Sequence, residues 1–432
     1  MTLLKKALIF ITLCSVMSST AVFAVKPVQT PTDGIPKCVL ILSGDSTAPG
    51  VADHIAVLYS REGLSFNDPG APRFLFFDRQ GKVALGIGGY VKASAMYDFN
   101  GAIDDNGFTT FDIPVPRDPA QRNRFGADAS HSTIFLKLVT KPTKFGRVIV
   151  YIQTDFTGDN GGYGLKLKQA YVSLGNVTAG LAHSVFSDPE SQAPTIDPQG
   201  PSGQVDKRNI MFKYAVKLGK GFSVGASLEI PTAGYQLSSS EQAINQRCPD
   251  IPAYVQYSWG KSDSHVRLSG IFRRISYRDL VKGKNRFESG WGVQFSTIAN
   301  IVGGLDIFGH YVYGKGIATY INDLSDADYN LIPSTTAGRM TAPAIGALTA
   351  GLAWQVSPKV MVSTDYSNAR LYDCDRLSGD TYRYTQYVSA NLYYNITENF
   401  KVGGEYLFGT RKDYSGLHNK ANRFEAMLQY SF

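Results

Sequence analysis

Beyond its first two dozen residues, the chain lacks any stretch near the roughly eighteen uninterrupted apolar residues that carry a helix across a bilayer. A helical membrane protein is therefore excluded. Cysteine is scarce, four in 432 residues. Cys14 lies in the amino-terminal apolar segment, and Cys38, Cys248 and Cys374 are too few and too far apart for a disulfide framework. Six histidines, His54, His131, His183, His265, His310 and His418, show no Ser/His/Asp or metal-ligand spacing, so neither catalysis nor a metal or other cofactor is expected. The net charge of +7 falls to +5 without Lys5 and Lys6 and is spread along the chain, which argues against nucleic acid as a partner.

What is present is glycine and aromatic side chains: 43 Gly, 25 Tyr and 24 Phe. That suits many short strands, tight turns and aromatic belts. The last eleven residues (NRFEAMLQYSF) put Phe424, Ala426, Leu428, Tyr430 and Phe432 on one side of an extended chain and Glu425, Gln429 and Ser431 on the other. One apolar and one mostly polar side over about ten residues is the pattern of a strand between lipid and water. At the other terminus, Lys5 and Lys6, the apolar run 7–16 and Val22-Phe23-Ala24 read as a signal peptide over 1–24, removed before Val25. A membrane protein without spanning helices must close its sheet, because open edges are not tolerated in hydrocarbon. The expectation is an all-β fold: a transmembrane antiparallel β-barrel in the outer membrane of a Gram-negative bacterium, in contact with outer-membrane lipid.

Period-two alternation marks about sixteen strand candidates between Gly88 and Phe432. Phe222, Val224, Ala226, Leu228 and Ile230 alternate with Ser223, Gly225, Ser227 and Glu229; Val388 to Ile396 does the same against Ser389, Asn391, Tyr393 and Asn395. Connections alternate in length. Short turns at 141–145, 175–176, 219–221, 260–263, 302–303, 357–358 and 397–399 face long segments at 100–129, 158–164, 184–207, 231–250, 276–286, 316–343, 371–381 and 412–419, as periplasmic turns face external loops. The barrel is placed at 87–432, and residues 25–86 form an N-terminal periplasmic segment without heptads: a short helix near 52–60, a break at Asp68-Pro69-Gly70-Ala71-Pro72, then a strand and turn over 74–82. Whether this is an extension, a plug or a lead-in is open.

The third long segment, 184–207, carries Pro189, Pro194, Pro198 and Pro201, which stiffen it, and Asp188, Glu190, Asp197 and Asp206. It reads as an inward-folded gate or as a solvated surface loop. Alternation in Leu165-Lys166-Leu167-Lys168 directs Lys166 and Lys168 inward and Leu165, Leu167 and Tyr171 outward. Gln169 then faces outward too, which suggests a subunit contact or a bulge. Arg267 and Arg273 also fall on polar faces, as do Lys92, Lys213 and Asp155, with Tyr151 and Gln153 on the side of Asp155. Lys137, Lys217 and Lys401, close to turns, read as snorkelling side chains. Fixed charges of both signs in a lumen select ions through electrostatic barriers and wells.

Particular residues match a family. Gly88-Gly89-Tyr90-Val91-Lys92 with Met96-Tyr97-Asp98-Phe99, the run Tyr151 to Phe156, Gly158-Asp159-Asn160, LKLKQAYV at 165–172, and Phe186-Ser187-Asp188-Pro189 with Thr195-Ile196-Asp197 and Gly200-Pro201 resemble the DcaP-like porins. The resemblance implies a homotrimeric, roughly sixteen-stranded porin for small, often anionic solutes. It implies pore-facing basic residues at Lys166 and Lys168 and an inward-folded third loop over 186–201. Several relatives carry a periplasmic coiled coil, for which 25–86 has no pattern.

Two functions fit. The first is passive diffusion of small hydrophilic solutes, with Lys166 and Lys168 opposing Asp188, Glu190 and Asp197. The alternative is a structural or adhesin-type barrel with a plugged lumen, presenting 316–343, where a bridge between Cys248 and Cys374 is left open.

Overall fold

The computed structural model describes residues 40–42, 51–78, 80–103, 105–158, 163–260, 264–372 and 378–432. The expected signal peptide and one partner of the Cys248–Cys374 bridge lie outside them.

Sixteen antiparallel strands close on themselves. They are β1 (Val83–Asn100), β2 (broken into Arg124–Asp128 and Thr133–Thr140), β3 (Val148–Asp155), β4 (Lys166–Leu174), β5 (Val177–His183), β6 (Arg208–Gly219), β7 (Phe222–Glu229) and β8 (Ile251–Ser258). Then follow β9 (His265–Asp279), β10 (Lys284–Val302), β11 (Leu305–Lys315), β12 (Ala344–Ser357), β13 (Val360–Leu371), β14 (Tyr382–Asn395), β15 (Phe400–Asp413) and β16 (His418–Ser431). The seam joins β16 to β1, Ser431 opposite Tyr90 and Leu428 opposite Ala93. Gly89 and Phe432 exchange both backbone bonds at 2.9 Å. Closure leaves no lipid-exposed edge, which is the condition for crossing hydrocarbon with strands.

Sequence alternation becomes sidedness. On β16, Phe424, Leu428 and Tyr430 are exposed outward, whereas Arg423, Glu425, Met427 and Gln429 are buried inward. Aromatic pairs gather on the outer surface near the turns, Phe222 with Tyr257 at 4.9 Å and Phe400 with Tyr430 at 6.4 Å. There their amphipathic rings suit the headgroup level. The turn from β6 to β7 needs Gly219 and Gly221, whose φ of +88° and +83° flank Lys220 at +51°; glycine takes the left-handed region without a Cβ penalty at two of these three positions.

Wall height is uneven. Strands β3 to β5 have seven to nine residues, whereas β9 and β10 have fifteen and nineteen. Two segments read as long loops, 276–286 and 412–419, are instead tight hairpins at the tips of extended strands. Beyond the bilayer no lipid-facing apolar residues are required, so those extensions carry weak alternation.

Before the barrel, helix α1 (Val51–Tyr59) packs Ile55 and Leu58 against Leu75, Phe77, Ala84 and Val139. The short strand Phe74–Phe77 continues the sheet beside the first turns of β1, and Leu40–Leu42 pairs with it in parallel. The first barrel strand thus starts at Val83, a few residues before the sequence boundary.

Candidate functional site

On β3, Tyr151, Gln153 and Asp155 point inward and are buried. Opposite them β4 carries a bulge: Gln153 pairs with Gln169, but Thr154 pairs with Leu167 and Asp155 with Lys166, so Lys168 is the extra residue. The bulge corrects part of the sequence reading. Gln169 turns inward, its amide donating to Gln153 Oε1 at 2.9 Å, and Tyr171 stacks on Tyr151 at 5.4 Å instead of meeting lipid. Lys168 Nζ lies 3.0 Å from Asp155 Oδ2, while Lys166 stays exposed.

Residues 184–207 lie against inward-facing side chains of the tall wall. Asp188 meets His265 Nε2 at 3.0 Å and Arg267 at 3.5 Å, and accepts from Ser296 Oγ. Ser191 pairs with His310, and the Pro194 carbonyl accepts from Ser363 at 2.8 Å. The Ile196 carbonyl accepts from Lys92 Nζ at 2.6 Å. Asp197 accepts from the Phe108 amide at 2.9 Å and Tyr387 OH at 3.0 Å, and its own N–H donates to Glu405 at 2.6 Å. Electrostatics separates these acids. Burial opposes charge on Asp188, but Arg267 and His265 outweigh it and hold the carboxyl below its ordinary range. Burial prevails at Glu190 and Asp197, whose carboxyls are pushed up.

Arg267 also donates to the Ser187 carbonyl at 3.0 Å and lies over Tyr254. Arg273 is placed differently from the sequence expectation. It is 0 % exposed, paired with Asp250 at 3.0 Å and bonded to the Gly316 carbonyl, so it ties external loops together and meets no open lumen.

The N-terminal segment holds residues that sequence reading missed. Asp68 is buried against the short wall, its Oδ2 3.2 Å from His183 Nε2, its Oδ1 accepting from Gln153 at 3.3 Å and lying 3.5 Å from Arg208. Burial works against its charge, yet the bond and charge of His183 with the charge of Arg208 hold its carboxyl well below the ordinary range. In the sequence, Asp68 sits in a Pro/Gly breaker, and nothing there signals a partner more than a hundred residues away. The three lysines read as snorkelling clasp this same segment: Lys137 donates to the Ser60 carbonyl at 3.0 Å, Lys217 pairs with Glu62 at 3.0 Å, and Lys401 lies over Phe66.

Access to water differs by sign along the wall from β3 to β9. Lys166 is exposed, and the side chains of Lys168 and Arg208 keep 24 % and 23 % of their surface, whereas Asp68, Asp155 and Asp188 keep 3 % or less. Among the described residues Glu62, Glu190 and Asp206 are the acids there that remain open to water, Glu62 against Lys217 and Asp206 against His183.

A family model described as DcaP outer membrane protein matches residues 78–432. Among curated proteins none matches. The crystal structure of the outer membrane channel DcaP of Acinetobacter baumannii superposes with a TM-score of 0.71 at 20% identity, over 82% of this chain and 99% of that one. OmpT of Vibrio cholerae (TM-score 0.50, 12% identity, 81% and 98% covered) and OmpF of Salmonella typhi in complex with daunomycin (0.50, 10%, 81% and 98%) share the barrel. With the match covering most of its length, this chain belongs to the DcaP outer membrane protein family, as a sixteen-stranded barrel of the Gram-negative outer membrane.

Proposed function

We propose that the protein is a porin for passive diffusion of small hydrophilic solutes, anions favoured, through a lumen narrowed by residues 184–207. One observation carries the preference: along one wall Lys166, Lys168 and Arg208 keep access to water, while Asp155, Asp188 and Asp68 are buried in pairs with cations. A paired, buried acid contributes little field to a passing ion, and a solvated cation beside it contributes a well for anions. The bonds from Asp188, Ser191, Pro194, Ile196 and Asp197 to the tall wall support the narrowing, since they hold the loop against that wall's lumen side. The resemblance to the DcaP-like porins also supports assembly as a homotrimer. Planar-bilayer recording under a salt gradient tests the selectivity. Lys166→Glu with Lys168→Glu should move the reversal potential toward cations, and an unchanged potential rejects these residues as the selecting charges.

The alternative, a barrel whose lumen is plugged, is favoured by one observation, the position of residues 60–72 between opposite walls. Absence of conductance under every condition would select it.

A further inference from the structure

Residues 60–72 form a strap fixed at both ends. On one side α1 is packed into an apolar cluster, and on the other Phe74–Phe77 is laddered to β1. Between these anchors the chain touches walls that face each other. The Ser60 carbonyl and Glu62 reach Lys137 on β2 and Lys217 on β6. The Gly63 amide donates to Glu190 in the 184–207 loop. Phe66 crosses to Tyr393 on β14, at 5.6 Å between rings, with Lys401 of β15 4.9 Å above it. The Asn67 carbonyl accepts from Tyr90 on β1 at 2.9 Å, and Asp68 returns to Gln153, His183 and Arg208. Pro72 is seated on β1 where a Cβ at Gly86 would lie 2.6 Å from its ring and one at Gly88 2.8 Å from its Cα.

How the strap is held matters as much as where it lies. The backbone–backbone bonds described for 61–72 are internal, Leu64 to Arg61 at 3.0 Å and Asp68 to Ser65 at 3.2 Å, and the first to the barrel comes at Arg73, to Ile87 at 3.1 Å. The strap is thus held by side chains, and it can leave the lumen without breaking a rung of the barrel. Glu62, Gly63, Asn67 and Gly70 are exposed, so the firm holds are Asp68 on one wall and Phe66 on the other. The family match begins at residue 78, beyond the strap.

We propose that residues 60–72 are a tethered gate across the lumen beneath the 184–207 loop, latched by Asp68 and Phe66, and that conduction requires their release. This rests on the porin reading. The full chain is recorded in planar bilayers as wild type, Asp68→Ala and, separately, Phe66→Ala, which loosens the opposite end in case the first variant fails to fold. Loss of one charge-assisted latch should raise the open population about tenfold, with wild type mostly closed and each variant open for longer at the same unitary conductance. A wild type already open, with both variants indistinguishable from it, overturns the gate and leaves the porin reading intact. Silence in wild type and both variants overturns the porin reading and the gate with it.

Discussion

Asp323 lies in the external loop 316–343, and its carboxylate accepts from Thr110 Oγ1 and the Phe111 amide at 2.9 Å and from Thr385 Oγ1 at 2.7 Å. Burial outweighs those donors and pushes the carboxyl up to about 6. The folded protein therefore keeps a proton that the unfolded chain releases from 3.8 upward. The stability this adds is complete below 3.8 and lost as pH rises through about 6, on the order of 3 kcal/mol in all. Asp323→Asn preserves the acceptor toward Thr110 and Phe111, and Thr385 can turn its hydroxyl to accept. Its unfolding midpoint should lack that part of the pH dependence between 4 and 6; a profile parallel to wild type rejects the assignment. Arg423 makes a second residue-scale case. Wholly buried, it forks onto Asp98 at 2.7 and 3.2 Å and caps the carbonyls of Ile103, Asp105 and Asn106. Arg423→Ala leaves Asp98 buried with, among the described residues, only Arg124 as a charged partner, 3.7 Å away, and should cost about 3–5 kcal/mol in detergent unfolding. A loss below about 1 kcal/mol would place the pair among the weak ones.

At the scale of elements, the 184–207 loop depends on one acceptor more than on its prolines. Glu405 on β15 accepts from the Thr195 hydroxyl and, at 2.6 Å, from the Asp197 amide. Glu405→Leu strands both donors at a cost of about 1–3 kcal/mol each. Hydrogen exchange at Asp197 should then accelerate, with added open-channel noise, while the strand ladders stay protected. Unchanged protection at Asp197 would show that the other wall contacts suffice. The same scale explains what was legible. About sixteen strands were readable because lipid demands an apolar residue at every second position, and the alternation of turn and loop was readable except at 276–286 and 412–419, where the strands run on past the bilayer. The β4 bulge was readable only as one of two explanations for Gln169, since which of Lys168 and Gln169 is the extra residue depends on the register chosen by β3. The break in β2 at 129–132 was not readable.

For the whole molecule the seam is decisive. Gly89 and Phe432 exchange two backbone bonds at its near end, beside the Ser431–Tyr90 pair. Removing Phe432 deletes those bonds, worth about 1 kcal/mol each, and leaves the pairs from Ser431 onward. Refolding into lipid should slow, with a modest loss in midpoint. A rate equal to wild type would show that closure does not wait for this end.

The sequence by itself determined the class: alternation, turn spacing and the absence of long apolar runs leave only a closed barrel for a chain in contact with lipid, and residues 88–212 resembled one family. Only the tertiary structure decided what occupies the lumen. Lys137, Lys217 and Lys401 look like interface lysines until the strap 60–72 is seen in their grasp, and Asp68 looks like part of a turn until His183 and Arg208 close around it. The physical reason is one of range. Lipid reads each strand locally, two residues at a time, whereas a buried charge needs partners from distant parts of the chain that meet only when the barrel closes.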